Sequence, residues 1–158
     1  MPRGSCTGLA DLGNESCVAA VGCKRGWGIV DMTEPIRSED IEGRFATAWV
    51  GGVVPGGIHC GSLYCKDGEG FGCLNSPLLG GVAAAMECLK GPWIIGIDFN
   101  MTPAELEESG WLEKVGGIVL APALLEPDDR VIDYFVVAER LWPLVHPVYR
   151  IEERFERR

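Results

Sequence analysis

Chemistry in this chain is concentrated where single polar residues break apolar runs. Asp98 and Asn100 close the stretch Trp93-Ile94-Ile95-Gly96-Ile97, which is otherwise hydrophobic. On a strand, alternation would place both on one side, with Phe99 on the other. A carboxylate and an amide held together suit the orientation of a nucleophilic water and the grip on a phosphate oxygen or a metal-bound water. The same residue types also cap turns by bonding the backbone two residues on, and the sequence leaves both uses open. Buried and unpaired, each would cost about 1–3 kcal/mol. Asp133 repeats the pattern inside Val131-Ile132-Asp133-Tyr134-Phe135-Val136-Val137. An acid among so many apolar neighbours needs a partner. That partner is an arginine such as Arg130 or Arg140, backbone donors, or a histidine that the acid orients.

These residues require strands to hold them, and the surrounding pattern supplies strands. Phe45 to Val54 and Ile58 to Cys65 flank Pro55-Gly56-Gly57 and predict a hairpin. Ser76-Pro77 predicts a helix start, with Leu78, Leu79, Val82, Met86 and Leu89 at helical spacing and Gly91-Pro92 as the stop. Trp93 to Ile97 reads as a strand buried on both faces. Thr102-Pro103-Ala104-Glu105 is a capping box that opens a short helix closing near Gly110. Gly117 to Ala121 and Val131 to Val137 read as further strands, Trp27 to Met32 as a short apolar run, and Leu141 to Val145 as a brief helical or irregular segment. The expected class is mixed α/β and layered.

With 158 residues, 47% of them hydrophobic, the chain can bury one real core but not two. Residues 1–20 read as a poorly ordered lead-in, 21–150 as the domain and 151–158 as a charged tail. The net charge of −9 repels phosphate backbones and disfavours non-specific nucleic-acid binding. The one dense basic cluster, Arg150, Arg154, Arg157 and Arg158, alternates with Glu152, Glu153 and Glu156 and reads as a solvated helical end. Seven cysteines without a CxxC pair, and only His59 and His146, fall short of a zinc site. The thiols read as small buried hydrophobes. No apolar signal core and no membrane-length run is present, so an intracellular setting without a membrane partner is expected. Gly68, Gly70 and Gly72 have the wrong spacing for a dinucleotide-binding loop.

Three segments carry a family resemblance. Gly91 to Asn100, ending Ile97-Asp98-Phe99-Asn100, resembles the strand with the Gly-Asp-Phe/Trp-Asn motif of the endonuclease/exonuclease/phosphatase superfamily. That superfamily includes apurinic endonucleases, DNase I-like enzymes and the endonuclease domains of non-LTR retrotransposons. Ile132-Asp133-Tyr134-Phe135 resembles its later Ile/Leu-Asp-Tyr-Phe strand. Ser62-Leu63-Tyr64, with the loop Lys66 to Gly72 and then Asn75, resembles the strand that brings a tyrosine to the phosphate. The resemblance spans about residues 45–145 and implies a layered α/β sandwich of the DNase I-like type. It also implies metal-assisted attack of water on a phosphodiester. On that reading Asp98 is the acid near the water, Asn100 its companion, Tyr64 a donor to a phosphate oxygen, and Asp133 the residue that orients a histidine. The implied cofactor is Mg²⁺ or Mn²⁺, and the implied partner is a nucleic acid or a smaller phosphoester.

Departures accompany these matches. The chain contains no glutamine, and Glu15, Glu34, Glu39 and Glu42 lack the context of the family's metal-binding Glu, so the metal ligands stay unassigned. No Ser-Asp-His segment follows Asp133, and His146 sits in Val145-His146-Pro147, which reads as a surface position. Ile97 stands where the family has glycine before the motif Asp. The expectation is therefore a domain truncated at both ends. Its alternative use is as a catalytically inactive remnant that serves as a binding or interaction module.

Overall fold

The computed structural model describes residues 5–7, 19–23, 25–32, 43–122 and 131–145. The strands are β1 (Ser5–Thr7), β2 (Val21–Cys23), β3 (Ile29–Asp31), β4 (Phe45–Val50), β5 (Ile58–Tyr64), β6 (Trp93–Asp98), β7 (Gly117–Leu120) and β8 (Asp133–Ala138), the last six of them on apolar runs read from the sequence. Among the described residues three helices lie between them, α1 (Asn75–Cys88), α2 (Pro103–Glu108) and α3 (Trp111–Val115), and a 3₁₀ turn spans Glu139–Leu144. Six strands form one mixed sheet in the order β3-β4-β5-β6-β8-β7, and β1 pairs with β2 apart from it.

The expected hairpin is present, with β4 and β5 antiparallel from Phe45↔Leu63 to Val50↔Ile58. Its first strand stops at Val50, earlier than the hydrophobic run suggests. Beyond it the chain turns, and the Gly51 N–H donates to Gly28 O at 3.1 Å. From β5 the chain crosses through α1 to β6, which pairs parallel to β5, as a helical crossover permits. β8 then returns antiparallel to β6, with β7 on its outer side.

Helix α1 begins two residues earlier than Ser76-Pro77 implies. Leu74 is its N-cap and makes no side-chain bond, and Ser76 N–H already donates to Gly72 O at 2.9 Å. Pro77 still falls in the first turn, where a missing N–H costs nothing. The capping box at Thr102 forms as read. Thr102 Oγ1 accepts from Glu105 N–H, and the Glu105 carboxylate accepts from Thr102 N–H at 2.6 Å.

Helices α1 to α3 cover the sheet face that carries Leu63, Ile95, Ile97 and Val136, forming one core with Leu79, Val82, Leu106 and Trp111. The Trp111 indole N–H donates to Leu79 O at 2.7 Å and so ties α3 to α1. Phe99 stacks on Tyr134 at 4.4 Å and meets Trp111 edge-on at 6.2 Å. On the opposite face, Ala46 and Ala48 pack against Ala19 and Val21. Part of the expected lead-in is thus structured: Ser5–Thr7 is a strand, and Ala19 is buried.

Two readings need correcting here. β6 is not buried on both faces: Trp93, Ile95 and Ile97 are buried, but Ile94, Gly96 and Asp98 are only half-buried, because their side of the sheet is incompletely covered. The thiols are not uniformly buried either. Cys65 is buried and Cys23 and Cys60 are intermediate, whereas Cys73 and Cys88 are exposed, one in a loop and one at the end of α1. Among the described residues no helix is long and apolar enough to cross a membrane. His146, Arg130, the acidic residues Glu15, Glu34, Glu39 and Glu42, and the Arg/Glu segment after 150 lie outside the described residues.

Candidate functional site

Strand register brings three of the four sequence candidates together. Tyr64 is the parallel partner of Asp98 on β6, and Asp98 is the antiparallel partner of Asp133 on β8. Neighbouring strands run about 4.8 Å apart, so the three form a row across the end of the sheet. All three line one cleft of about 470 Å³ on the less covered face. The row behind them, two residues back along β5 and β6, is Ser62, Gly96 and Phe135, and it forms part of the cleft floor.

The backbone fixes Asp98 from both sides. Cys65 N–H donates to Asp98 O at 2.9 Å, and Phe99 N–H donates to Ile132 O at 2.9 Å, so pairing continues past the residue on each flank. The strand then ends, and Asn100 takes a left-handed conformation with φ 51°. This is where the expected alternation fails. Asn100 does not continue a strand face. It folds back and is buried, its amide donating to Cys65 O at 2.7 Å. It does not line the cleft, but it touches the acid: the Asp98 carboxylate takes hydrogen bonds from the Asn100 backbone and side chain. Asp98 and Asn100 therefore form a turn of the Asx kind, one of the two uses open from sequence.

That turn does not satisfy the whole carboxylate. Asp98 Oδ1 is buried and makes no hydrogen bond. Burial, then the charge of Asp133, and more weakly that of Asp67, push the Asp98 carboxyl above the usual carboxylate range, against the stabilising bonds from Asn100. An acid held this way takes up a proton or a cation more readily than a solvated one.

Asp133 corrects another expectation. It opens β8 rather than sitting within it, and it is exposed. Water solvates it, so no ion pair is required. Arg140 lies beyond the far end of β8, in the 3₁₀ turn. Among the described residues no histidine reaches the cleft for Asp133 to orient. His59 pairs with Trp93 at the opposite end of β5, its Nε2 3.3 Å from Lys90 O. Tyr64 is half-buried, and the Arg44 guanidinium lies 5.7 Å from its ring centre.

Three residues to which the sequence reading gave no role bear on the row or on the loop beside it. Asp67 enters the electrostatics of Asp98 from the loop after β5. Phe135 lies on the cleft floor and is exposed, although its residue type is more often buried. Asn75 is fully buried and holds that loop by accepting from Lys66 N–H at 2.8 Å and donating to Lys66 O at 3.0 Å and Gly70 O at 2.8 Å. No local pattern marks such long-range roles.

As a cation site, the donor set present is the Asp98/Asp133 pair. These are hard oxygen donors, and the orphaned Oδ1 is directed to no protein partner. Mg²⁺ is commonly held by one or two carboxylates together with water and substrate phosphates, which the pair fits. A closed all-protein cage does not fit, since among the described residues no cluster of three His, Cys, Asp or Glu forms.

No protein-family model matches the chain, and no curated protein matches it in sequence. Among solved structures it is similar to cytolethal distending toxin from Actinobacillus actinomycetemcomitans, with a TM-score of 0.42 and 15% identity over 70% of this chain. The match covers 42% of that chain, so this protein spans under half of its length.

Proposed function

We propose that this is a DNase I-like domain whose cleft handles a phosphoester with the help of a divalent cation, as a hydrolase of the nuclease or phosphatase type. The observation that supports it is the register row Tyr64–Asp98–Asp133. Three residues far apart in sequence, each singled out for phosphoester chemistry, become nearest cross-strand neighbours in one cleft.

In this reading Asp98 orients the attacking water and accepts its proton. Asn100 holds the Asp98 carboxylate in place through the turn. The Tyr64 hydroxyl donates to a phosphate oxygen, and Asp133 supplies the second carboxylate. Asp98 and Asp133 would hold Mg²⁺ or Mn²⁺, which when bound offsets the charge on the phosphate. A second reading, a binding module without turnover, is favoured by one observation: among the described residues the cleft contains no histidine for general acid–base work.

The test is hydrolysis of an abasic-site oligonucleotide and of bis(4-nitrophenyl) phosphate with Mg²⁺ or Mn²⁺, comparing the wild type with Asp98→Ala. Metal-dependent turnover that falls by about 10²-fold or more in the variant supports the hydrolase. A folded protein that binds the phosphoester without turnover leaves the binding module.

A further inference from the structure

Phe135 occupies a position at which a large apolar side chain is ordinarily covered. β8 is an interior strand, between β6 and β7, yet Phe135 is 42% exposed. The other exposed large apolar residues among those described are on turns, on edge strand β3, next to a helix start or in the 3₁₀ turn. Single exposed apolar residues are common at such places, so Phe135 stands apart from them.

The surroundings give the ring a definite seat. Phe135 is the cross-strand partner of Gly96, and a methyl group at Gly96 would come within 2.9 Å of the Phe135 ring. Glycine thus lets the ring lie across β6 on the cleft floor. Along β8, Phe135 is two residues from Asp133, about 7 Å away on the same face. The cleft is therefore divided. One end carries the acid row with the unpartnered Asp98 Oδ1, and the floor beside it offers an aromatic surface.

We infer that Phe135 is a stacking platform for the base of a small nucleotide whose phosphate is held at the Tyr64–Asp98–Asp133 row. This rests on the phosphoester reading of that row and narrows it to a substrate class. Aromatic stacking accepts any base, since every base has a π-face. The ribose of a nucleoside phosphate bridges the gap between phosphate and ring. A small nucleotide also suits the charge of the chain: at −9, the protein repels a long polyanion far more than a ligand with one phosphate.

The experiment compares adenosine 5′-monophosphate with ribose 5-phosphate, the same phosphate without a base, in calorimetric titrations of the full chain with Mg²⁺ present. Wild type, Phe135→Ala, Phe135→Tyr and Asp98→Ala are titrated with each. Stacking contributes about 1–3 kcal/mol per base, so the wild type should bind the nucleotide about 5- to 150-fold more tightly than the sugar phosphate. Phe135→Ala should remove that ratio, Phe135→Tyr should keep it, and Asp98→Ala should weaken both ligands alike. Equal affinity of the wild type for the two ligands overturns the platform but leaves the phosphoester reading standing. A preference that survives Phe135→Ala overturns it too. Binding of neither ligand overturns both. Self-association that depends on Phe135, without base preference, would assign the ring to a second copy of the chain and also overturn the inference.

Discussion

Asp98 and Asp133 face each other on adjacent antiparallel strands, one half-buried with an unpartnered oxygen and the other exposed to water. Burial is the larger reason that the Asp98 carboxyl titrates above the usual range, and the charge of Asp133 is the next. The arrangement opposes a full negative charge on both residues at once, which is how a cation or a shared proton becomes favourable between two carboxylates.

Asp133→Asn should lower the Asp98 pKa while leaving it above the usual value, because burial persists. Carboxyl NMR titration of both proteins measures this directly. The sign for stability follows from proton uptake. With its pKa raised by folding, Asp98 holds more protons in the native than in the unfolded state between 3.8 and the raised value, so stability falls as pH rises through that window. The variant should show a shallower fall there. An Asp98 titration that does not move would remove Asp133 as a source of the shift.

The physical reach of each sequence signal decided what was legible. β6 and β8 were visible because runs such as Trp93 to Ile97 have few alternatives to a strand, and the Thr102 capping box was visible because all its bonds lie within four residues. The start of α1 was misplaced because the local Ser76-Pro77 signal gave way to the turn that Asn75 organises from the loop after β5. The parallel pairing that puts Tyr64 beside Asp98 depends on a crossover of some thirty residues, which no spacing rule reads. The exposure of Phe135 was invisible for a related reason: residue type indicates which side chains can be buried, and only the assembled sheet shows which are not.

Asn75 should matter more to the loop than to the helix it begins. Its side chain makes three hydrogen bonds to the backbone of Lys66 and Gly70. Asn75→Ala strips all three and should cost about 1–3 kcal/mol in urea unfolding. Asn75→Asp keeps the acceptor for Lys66 N–H but loses both donated bonds, so it should fall between. Hydrogen exchange at the Lys66 amide should quicken in Asn75→Ala. An unchanged unfolding midpoint together with unchanged exchange would show that the loop holds itself.

Cys65 and Cys73 should differ sharply in reactivity. Burial first, and then the Asp98 charge, push the Cys65 thiol up to about 12, with Arg44 pulling the other way. The thiolate is the nucleophile, so Cys65 should resist iodoacetamide at neutral pH while exposed Cys73 and Cys88 are alkylated. Peptide mass spectrometry before and after urea separates the three sites. Rapid labelling of Cys65 in the native protein would contradict the packing of β5 against the Asp98 turn.

The last expectation concerns Tyr134, whose ring and hydroxyl have opposite effects. The ring stacks on Phe99 at 4.4 Å and belongs to the core beneath the site. The hydroxyl is buried and has no hydrogen-bond partner. Burial pushes its pKa upward, with the charges of Cys65, Glu105 and Glu107 adding to the effect, so it stays protonated at any working pH. A buried hydroxyl without a partner carries a desolvation cost of about 1–3 kcal/mol, whereas a bonded one contributes about 1 kcal/mol. Tyr134→Phe keeps the stacked ring and removes only the orphaned group. It should therefore leave stability unchanged or raise it by up to about 1–3 kcal/mol, read as a higher urea midpoint at constant slope. Because Tyr134 points away from the cleft row formed by its neighbours Asp133 and Phe135, nucleotide binding should not change. A loss of about 1 kcal/mol instead would mean that the hydroxyl is bonded in solution, and would give this Tyr a role in holding the sheet to the helices.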